Sequence, residues 1–364
     1  MARNLVLGTK KGVLILRKGK RGWSAQPIQH PGLSVSFAFH DDRTDTLWAA
    51  FDHGHWGAKL SKSPNGGKKW QEVAPPRFPA RAKLTPATKK KPTLRYIYVL
   101  APGRKEEPKR LYVGTVPGGL FASDDNGTTF ELCDPLWTHR TRDKWIQGGK
   151  DFDEPGLHSV VVDPRDAQHV YIGISAAGVF ETRDGGASWE PRNKGTVAAF
   201  LPDQKSEVGQ DPHFVMACAR EPDVLWQQNH CGVYRTTNGG KTWTDIGQKK
   251  GVVGFGFAIA VDNADPARAW VVPATSDEKR YAKDGALCVA RTDDGGKSWS
   301  VLRRGLPQEN AFDVTYRHAL DCRGDTVAFG TTTGNLYVSD DRGERWKCVG
   351  SNFPPIMSVR FASG

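Results

Sequence analysis

The octapeptide Thr292-Asp293-Asp294-Gly295-Gly296-Lys297-Ser298-Trp299 recurs along almost the whole chain as Ser/Thr-x-Asp/Asn-x-Gly-x-x-Trp. Copies begin at residues 63, 123, 182, 236, 292 and 339, the second ending in Phe130 in place of Trp. Intervals of 47 to 60 residues between such motifs mean one supersecondary unit used again and again. A chain of 364 residues would otherwise suggest two or three unlike domains.

Each copy reads as a tight reversal. An alternating strand runs in, as in Gly178-Val179-Phe180-Glu181-Thr182. The Asp or Asn side chain can bond the backbone that follows it, the Ser or Thr hydroxyl adds a second local bond, and Gly supplies positive φ. The Trp then opens the returning strand, where its ring is expected to pack across the hairpin. Ahead of the copy at 182, period-2 alternation marks strands over 157–162 and 170–174, with Asp163-Pro164-Arg165-Asp166 turning between them. Four antiparallel strands per unit make one propeller blade.

Strands over 33–40 and 46–51 complete the unit that ends at Trp70. Before them, Asn4 to Leu16 matches Thr326 to Tyr337, and Gly22-Trp23 keeps the end of the turn motif. The inner strand missing from this first unit is supplied by Ile356-Met357-Ser358-Val359-Arg360-Phe361. The predicted fold is therefore all-β, a single seven-bladed β-propeller over 1–364 with four-stranded antiparallel blades. One blade is built from 1–24 together with 355–362, which removes open sheet edges. Insertions interrupt the repeat at 75–93, 136–155, 204–212 and 275–284.

The turn motif resembles the Asp-box, or BNR repeat, of sialidases, sortilin-type receptors, xyloglucanases and photosystem II assembly-factor propellers. The resemblance covers nearly all of the chain and implies a β-propeller; it implies no single activity. The sialidase members have six blades, a Phe-Arg-Ile-Pro element before the first box, an arginine triad and a Tyr–Glu nucleophile pair. Here Arg77-Phe78-Pro79 follows a box and no Tyr–Glu pairing can be placed, which argues against exo-sialidase activity. Xyloglucanases use two propellers around a cleft, whereas one is expected here.

The formal net charge is +11, and much of it falls in Arg77, Arg81, Lys83, Lys89, Lys90, Lys91, Arg95, Lys105, Lys109 and Arg110. This basic 77–110 region could hold an acidic protein partner. It lacks interleaved aromatics and any nucleic-acid motif, so nucleic acid is not expected. No apolar run approaches the ~18 residues of a membrane span, and Met1 to Gly8 reads as a strand, not a secretory leader. A cytoplasmic protein is expected, with its six cysteines as reduced, structural thiols; Cys231 beside His230 stands apart from the rest.

Propeller topology sorts the loops into two faces. The turn motifs lie on one; blade-to-blade connections and the turns between second and third strands open on the other. That second face collects His53 and His55 (in Asp52-His53-Gly54-His55-Trp56-Gly57), His230 (in Gln227-Gln228-Asn229-His230-Cys231-Gly232), and His158 and His213 at inner-strand entrances. Corresponding turns elsewhere, such as Ser175-Ala176-Ala177-Gly178, are plain. Imidazoles beside carboxylates are a ligand set for a divalent ion such as Zn, Fe or Mn, so these five histidines are the candidate metal ligands. Asp151, Asp153, Glu154 and Asp211 are the candidate catalytic acids and bases, since paired carboxylates divide those roles in glycoside hydrolysis. Trp56, Trp145, Gln147, Lys150 and Asn229 are candidates for holding a small polar or glycan ligand. The expected function is ligand binding, with hydrolase-like or metal-assisted chemistry, at this mouth. The alternative is a non-catalytic interaction or assembly scaffold.

Overall fold

The computed structural model describes residues 4–85, 89–145, 154–248 and 251–363. Its strands form seven four-stranded antiparallel sheets. Blade one comprises Val35–Asp41, Thr46–His53, Gly57–Ser63 and Gln71–Val73; blade two, Tyr96–Pro102, Leu111–Val116, Leu120–Ser123 and Glu131–Leu132. Blade three is Leu157–Val162, Val170–Ile174, Gly178–Thr182 and Glu190–Pro191; blade four, Pro212–Ala217, Leu225–Asn229, Gly232–Thr236 and Thr244–Asp245. Blade five is Gly256–Val261, Ala269–Pro273, Val289–Thr292 and Ser300–Leu302; blade six, Leu320–Arg323, Thr326–Gly330, Leu336–Ser339 and Lys347–Gly350. Blade seven joins Ile356–Ala362 to Asn4–Thr9, Gly12–Gly19 and Gly22–Ala25. The first strand of each blade packs against the first strand of the next, and Ile356–Ala362 against Val35–Asp41, so the ring is closed. Asn4 lies opposite Ala362 and Leu7 opposite Val359 in the pairing that closes it.

The turn motifs form as their chemistry requires. Thr292 Oγ1 donates to Asp294 Oδ1 at 2.9 Å and accepts the Gly296 N–H at 2.9 Å, while Asp294 Oδ1 accepts the Ser298 N–H at 2.9 Å. The same three bonds recur in the copies at 63, 123, 182, 236 and 339. The Trp differs from expectation. In three copies its indole N–H is directed to the preceding blade, Trp243 donating to the Arg192 carbonyl at 2.7 Å, Trp299 to the Ile246 carbonyl at 2.9 Å and Trp189 to the Cys133 sulfur at 3.4 Å, whereas the Trp346 N–H has no partner among the described residues. A buried indole needs an acceptor, and carbonyls just past the neighbouring outer strand are not used in a ladder. Close approach at this joint explains Gly195 (φ +97°) and Gly305 (φ +88°). A Cβ there would lie 2.2 Å from the Trp243 carbonyl oxygen and 2.1 Å from that of Trp346.

A second tie crosses the same kind of joint with the donor in the preceding blade. Trp48, Tyr112, Tyr171, Trp226 and Trp270 share one position in the second strands of blades one to five, and all are buried. Tyr171 Oη donates to the Gly239 carbonyl at 3.0 Å, and Trp270 Nε1 to the Arg342 carbonyl at 3.0 Å. Both acceptors lie in the following blade's turn motif. The blade-four motif is thus tied twice to blade three, once through its own Trp243 and once through Tyr171.

Blade three adds a buried charge network. Glu181 accepts from His169 Nε2 at 2.7 Å and Arg192 Nε at 2.6 Å, and His169 Nδ1 bonds Asp163 Oδ2 at 2.8 Å. Burial alone would lower the His169 pKa, but the two carboxylates outweigh it and raise it above 6.5. Burial opposes ionisation of Glu181 too, yet His169 and the arginines bring it down to about 2. A raised imidazole contributes stability that is complete below pH 6.5 and is lost as pH rises through the folded-state value. His169→Asn is expected to lower stability by about 2 kcal/mol near pH 6. The deficit should shrink as pH rises above that window; urea melts at several pH values check this, and a deficit that grows with pH contradicts it.

Candidate functional site: an imidazole–carboxylate cluster at the channel mouth

In every blade but the sixth, the entrance of the inner strand carries a bulge. Ser36, Tyr98, His158, His213 and Met357 are the extra residues in blades one, two, three, four and seven. A bulge re-aims one side chain out of the alternating pattern, and repeating it around a ring gathers those residues at one end of the channel.

Blade four concentrates polar groups there. Asp211 precedes its inner strand, His213 is the bulged residue, and His230 sits in the turn between its second and third strands. Asp211 Oδ2 lies 3.6 Å from His213 Nε2 and 3.5 Å from His230 Nδ1. The ligand atoms of all three fall within 4.8 Å of one another. Each group is held from behind. His213 Nδ1 donates to the Gly256 carbonyl at 2.6 Å. His230 Nε2 lies 3.4 Å from Asp277 Oδ2. Asp211 Oδ1 accepts the Ala176 N–H at 3.0 Å, and the Asp211 carbonyl accepts the His230 N–H at 2.9 Å.

With its Nδ1 proton on Gly256, neutral His213 turns the Nε2 lone pair toward a carboxylate oxygen. Burial holds His213 below its usual pKa, against the pull of Asp211. Burial would raise Asp211, but His213, Arg317 and His230 together hold it well below the usual carboxylate range. When His213 is neutral its Nε2 and the carboxylate oxygen are both acceptors, a contact that either a proton or a metal cation between them reconciles. Bonds of ~2.0–2.1 Å to a tetrahedral ion place ligand atoms about 3.4 Å apart, close to the spacing here. The walls are aromatic: Phe257 stacks on His213 at 4.7 Å, Phe255 lies 5.7 Å from His230, and Phe200 lies 5.2 Å from it.

No family model matches the chain. It is 24% identical over 279 residues to the oligoxyloglucan-reducing end-specific xyloglucanase of Emericella nidulans, a match covering 69% of this chain and 32% of that enzyme. The chain therefore spans about a third of that relative's length. Among solved structures, an ancestral GH74 enzyme superposes with a TM-score of 0.60 at 17% identity, over 88% of this chain and 39% of that one. The YCF48 protein of Cyanidioschyzon merolae gives 0.55 at 16% identity, over 92% and 95%. The chain shares a β-propeller fold with both.

The remaining predicted residues are placed differently. His53 and His55 sit in the blade-one turn, outside the cluster; His53 Nδ1 accepts the backbone N–H groups of His55 and Trp56. Trp56 is 68% exposed. His158 is buried near Asp211 and His213 without joining their ligand grouping. Trp145 was expected to be exposed and is buried: Arg142 stacks over Trp137 at 4.0 Å and Trp145 at 4.3 Å, folding the 136–145 stretch onto itself. Asn229 is also buried; its amide donates to Gln227 and its carbonyl oxygen accepts the Cys231 N–H, so it shapes the turn that carries His230. Glu154 is buried beside Arg142. Gln147, Lys150, Asp151 and Asp153 lie outside the described residues. Sequence reasoning missed Asp277, whose signal was its place in an insertion of the adjoining blade.

Part of the basic 77–110 region is already neutralised, through Arg81 with Asp134 at 2.9 Å and Arg110 with Asp124 at 2.7 Å. These residues line a groove of about 550 Å³ on the turn-motif face, away from the cluster. Asp134 and Asp124 in it are committed to those arginines and Asp125 to the turn bonds. All the described cysteines are free thiols. Among the described residues no helix is long and apolar enough to cross a membrane.

Proposed function

We propose that the mouth binds a divalent metal ion and acts on a small polar or glycan ligand by metal-assisted, hydrolase-like chemistry. One observation carries this reading: Asp211 Oδ2 faces two imidazole nitrogens at 3.5 and 3.6 Å, with an outer partner behind each ring. Outer partners fix ring orientation and strengthen imidazoles as ligands. Three protein ligands leave positions open, the mark of a catalytic ion and not a structural one. Zn, Fe and Mn all suit two imidazoles and a carboxylate. Such an ion polarises a bound oxygen and makes water a nucleophile near neutral pH. Asp211, His213 and His230 would hold it, and the flanking phenylalanines would exclude bulk water. The similarity to a xyloglucanase favours a glycan as ligand.

The test is metal analysis of protein purified without a His-tag, followed by calorimetric titration with Zn²⁺ and Mn²⁺. About one equivalent should bind. Asp211→Asn should weaken binding by more than ~100-fold, beyond the 10–100-fold effect of disturbing an outer partner. Asp277→Asn should fall within that smaller range. Wild-type protein that takes up no divalent ion, or an Asp211→Asn variant that binds equally well, overturns the reading.

A further inference from the structure

We infer that the ligand of this mouth carries an anionic group, a phosphate or a carboxylate, received by Arg317. The inference rests on the mouth being a ligand site, and it does not depend on the metal.

Arg317 precedes the inner strand of blade six. Its guanidinium lies 5.7 Å from the Tyr98 ring of blade two and 5.5 Å from the Phe257 ring of blade five. A side chain within reach of both blades extends across the channel. Arg317 is half-buried, and its Nε is buried without a hydrogen-bond partner. No ion pair of Arg317 occurs among the described residues, although the chain pairs many of its other arginines with carboxylates. A buried donor left unsatisfied is costly, and more so when charged. A folding role would be expected to bring a partner with it. Guanidinium is planar and forked, and it suits two-point recognition of carboxylate or phosphate.

A second observation points the same way. His158 is fully buried, and its Nε2 makes no hydrogen bond of good geometry, its one backbone neighbour being the Pro212 carbonyl, which bonds the ring weakly. Its Nδ1 lies 2.9 Å from Ser159 Oγ, which already accepts the Val215 N–H at 3.0 Å. The Ser159 proton is then available to Nδ1, and Nε2 becomes the ring's N–H donor. Burial first, and Arg317 second, keep this ring well below its usual pKa, so it donates as a neutral group. Arg317 lies over Phe257, whose ring stacks on His213, which sets the proposed anion position beside the cluster. A ligand anchored by its charge on Arg317 would present an uncharged part to Asp211, His213 and His230.

The test uses full-length protein freed of metal with a chelator and titrated in separate arms with inorganic phosphate, succinate and a neutral oligosaccharide. Phosphate or succinate should bind, and which of them does identifies the anionic group. Arg317→Gln should weaken that binding at least tenfold. Arg317→Lys, which keeps the charge and loses the fork, should fall between. Zn²⁺ binding by Arg317→Gln should not fall below that of wild type, since losing a nearby positive charge does not weaken a cation site. Equal anion binding by wild type and Arg317→Gln overturns the inference, as does binding of the neutral sugar alone. Loss of metal binding in wild type with retained anion binding would sink only the metal reading.

Discussion

A chain lacking Ile356–Ala362 is expected to lose cooperative unfolding altogether. That strand supplies the inner edge of blade seven and packs against inner strands on both sides. Ile356 and Val359 are fully buried and Phe361 is nearly so. Burial of each is worth roughly 1.5–3 kcal/mol, so the three approach the whole net stability of ~5–15 kcal/mol typical of a folded domain. The truncation also strips the ladder partner from Asn4–Thr9 and exposes a long strand edge that invites association. Circular dichroism during urea titration should show a broad, shallow transition, and light scattering should show aggregates. A circular permutant joining 363 to 4 and opened at an exposed turn should keep the sharp transition, because it retains the strand. A truncated monomer with a wild-type midpoint and slope would show that the ring does not depend on this closure.

The ring was legible because its turn motif is local chemistry. A hydroxyl, a carboxylate and a glycine at fixed offsets bond one another whatever lies around them, so Thr292, Asp294 and Gly296 announce the turn without tertiary information. Counting to seven needed only the match of Asn4 to Leu16 with Thr326 to Tyr337. What the motif's Trp touches was not legible. Its acceptor lies in another blade, and the strand-two aromatics that return the contact share only a position. Asp211, His213 and His230 could be named together because one blade carries them all. His53 and His55 occupy a like turn in blade one, but ring geometry keeps them outside the cluster, and His53 is spent on its own turn's backbone. The burial of Trp145 and Asn229 was not legible, because polar loops read as exposed. Arg142 between two indoles, and an amide closing its own turn, bury both. Asp277 and Arg317 belong to other blades, and no local pattern marks them. Only the shared inner-strand entrance, aligned across repeats, points to Arg317.

Replacing Arg360 with Met should destabilise the protein by about 1.5–3 kcal/mol, the range for losing hydrogen bonds made by a charged group. Arg360 Nη1 donates to the carbonyls of Val359 at 2.7 Å, His318 at 2.8 Å and Leu320 at 3.3 Å, and Nη2 reaches His318 Nδ1 at 3.1 Å. Burial pushes its pKa down, with Asp321 opposing the shift. Burial raises Asp321, with Arg360 opposing in turn, while Asp321 accepts the Phe361 N–H at 2.8 Å. Met would fill much of the volume and satisfy none of these groups. A carboxyl with a raised folded-state pKa penalises the fold as pH rises above its unfolded value of 3.8, and the penalty disappears on acidification. The gap between wild type and Arg360→Met should therefore narrow as pH falls toward 4. Adding Asp321→Asn should restore part of the loss at neutral pH, a coupling that a double-mutant cycle measures. A gap below about 1 kcal/mol, or one independent of pH, contradicts this account. The same change reaches the mouth. Arg360 fixes the His318 carbonyl and ring, and Arg317 is the next residue along the chain. Where the variant still folds, anion binding should weaken because the Arg317 backbone loses its anchor, while metal binding on blade four should hold.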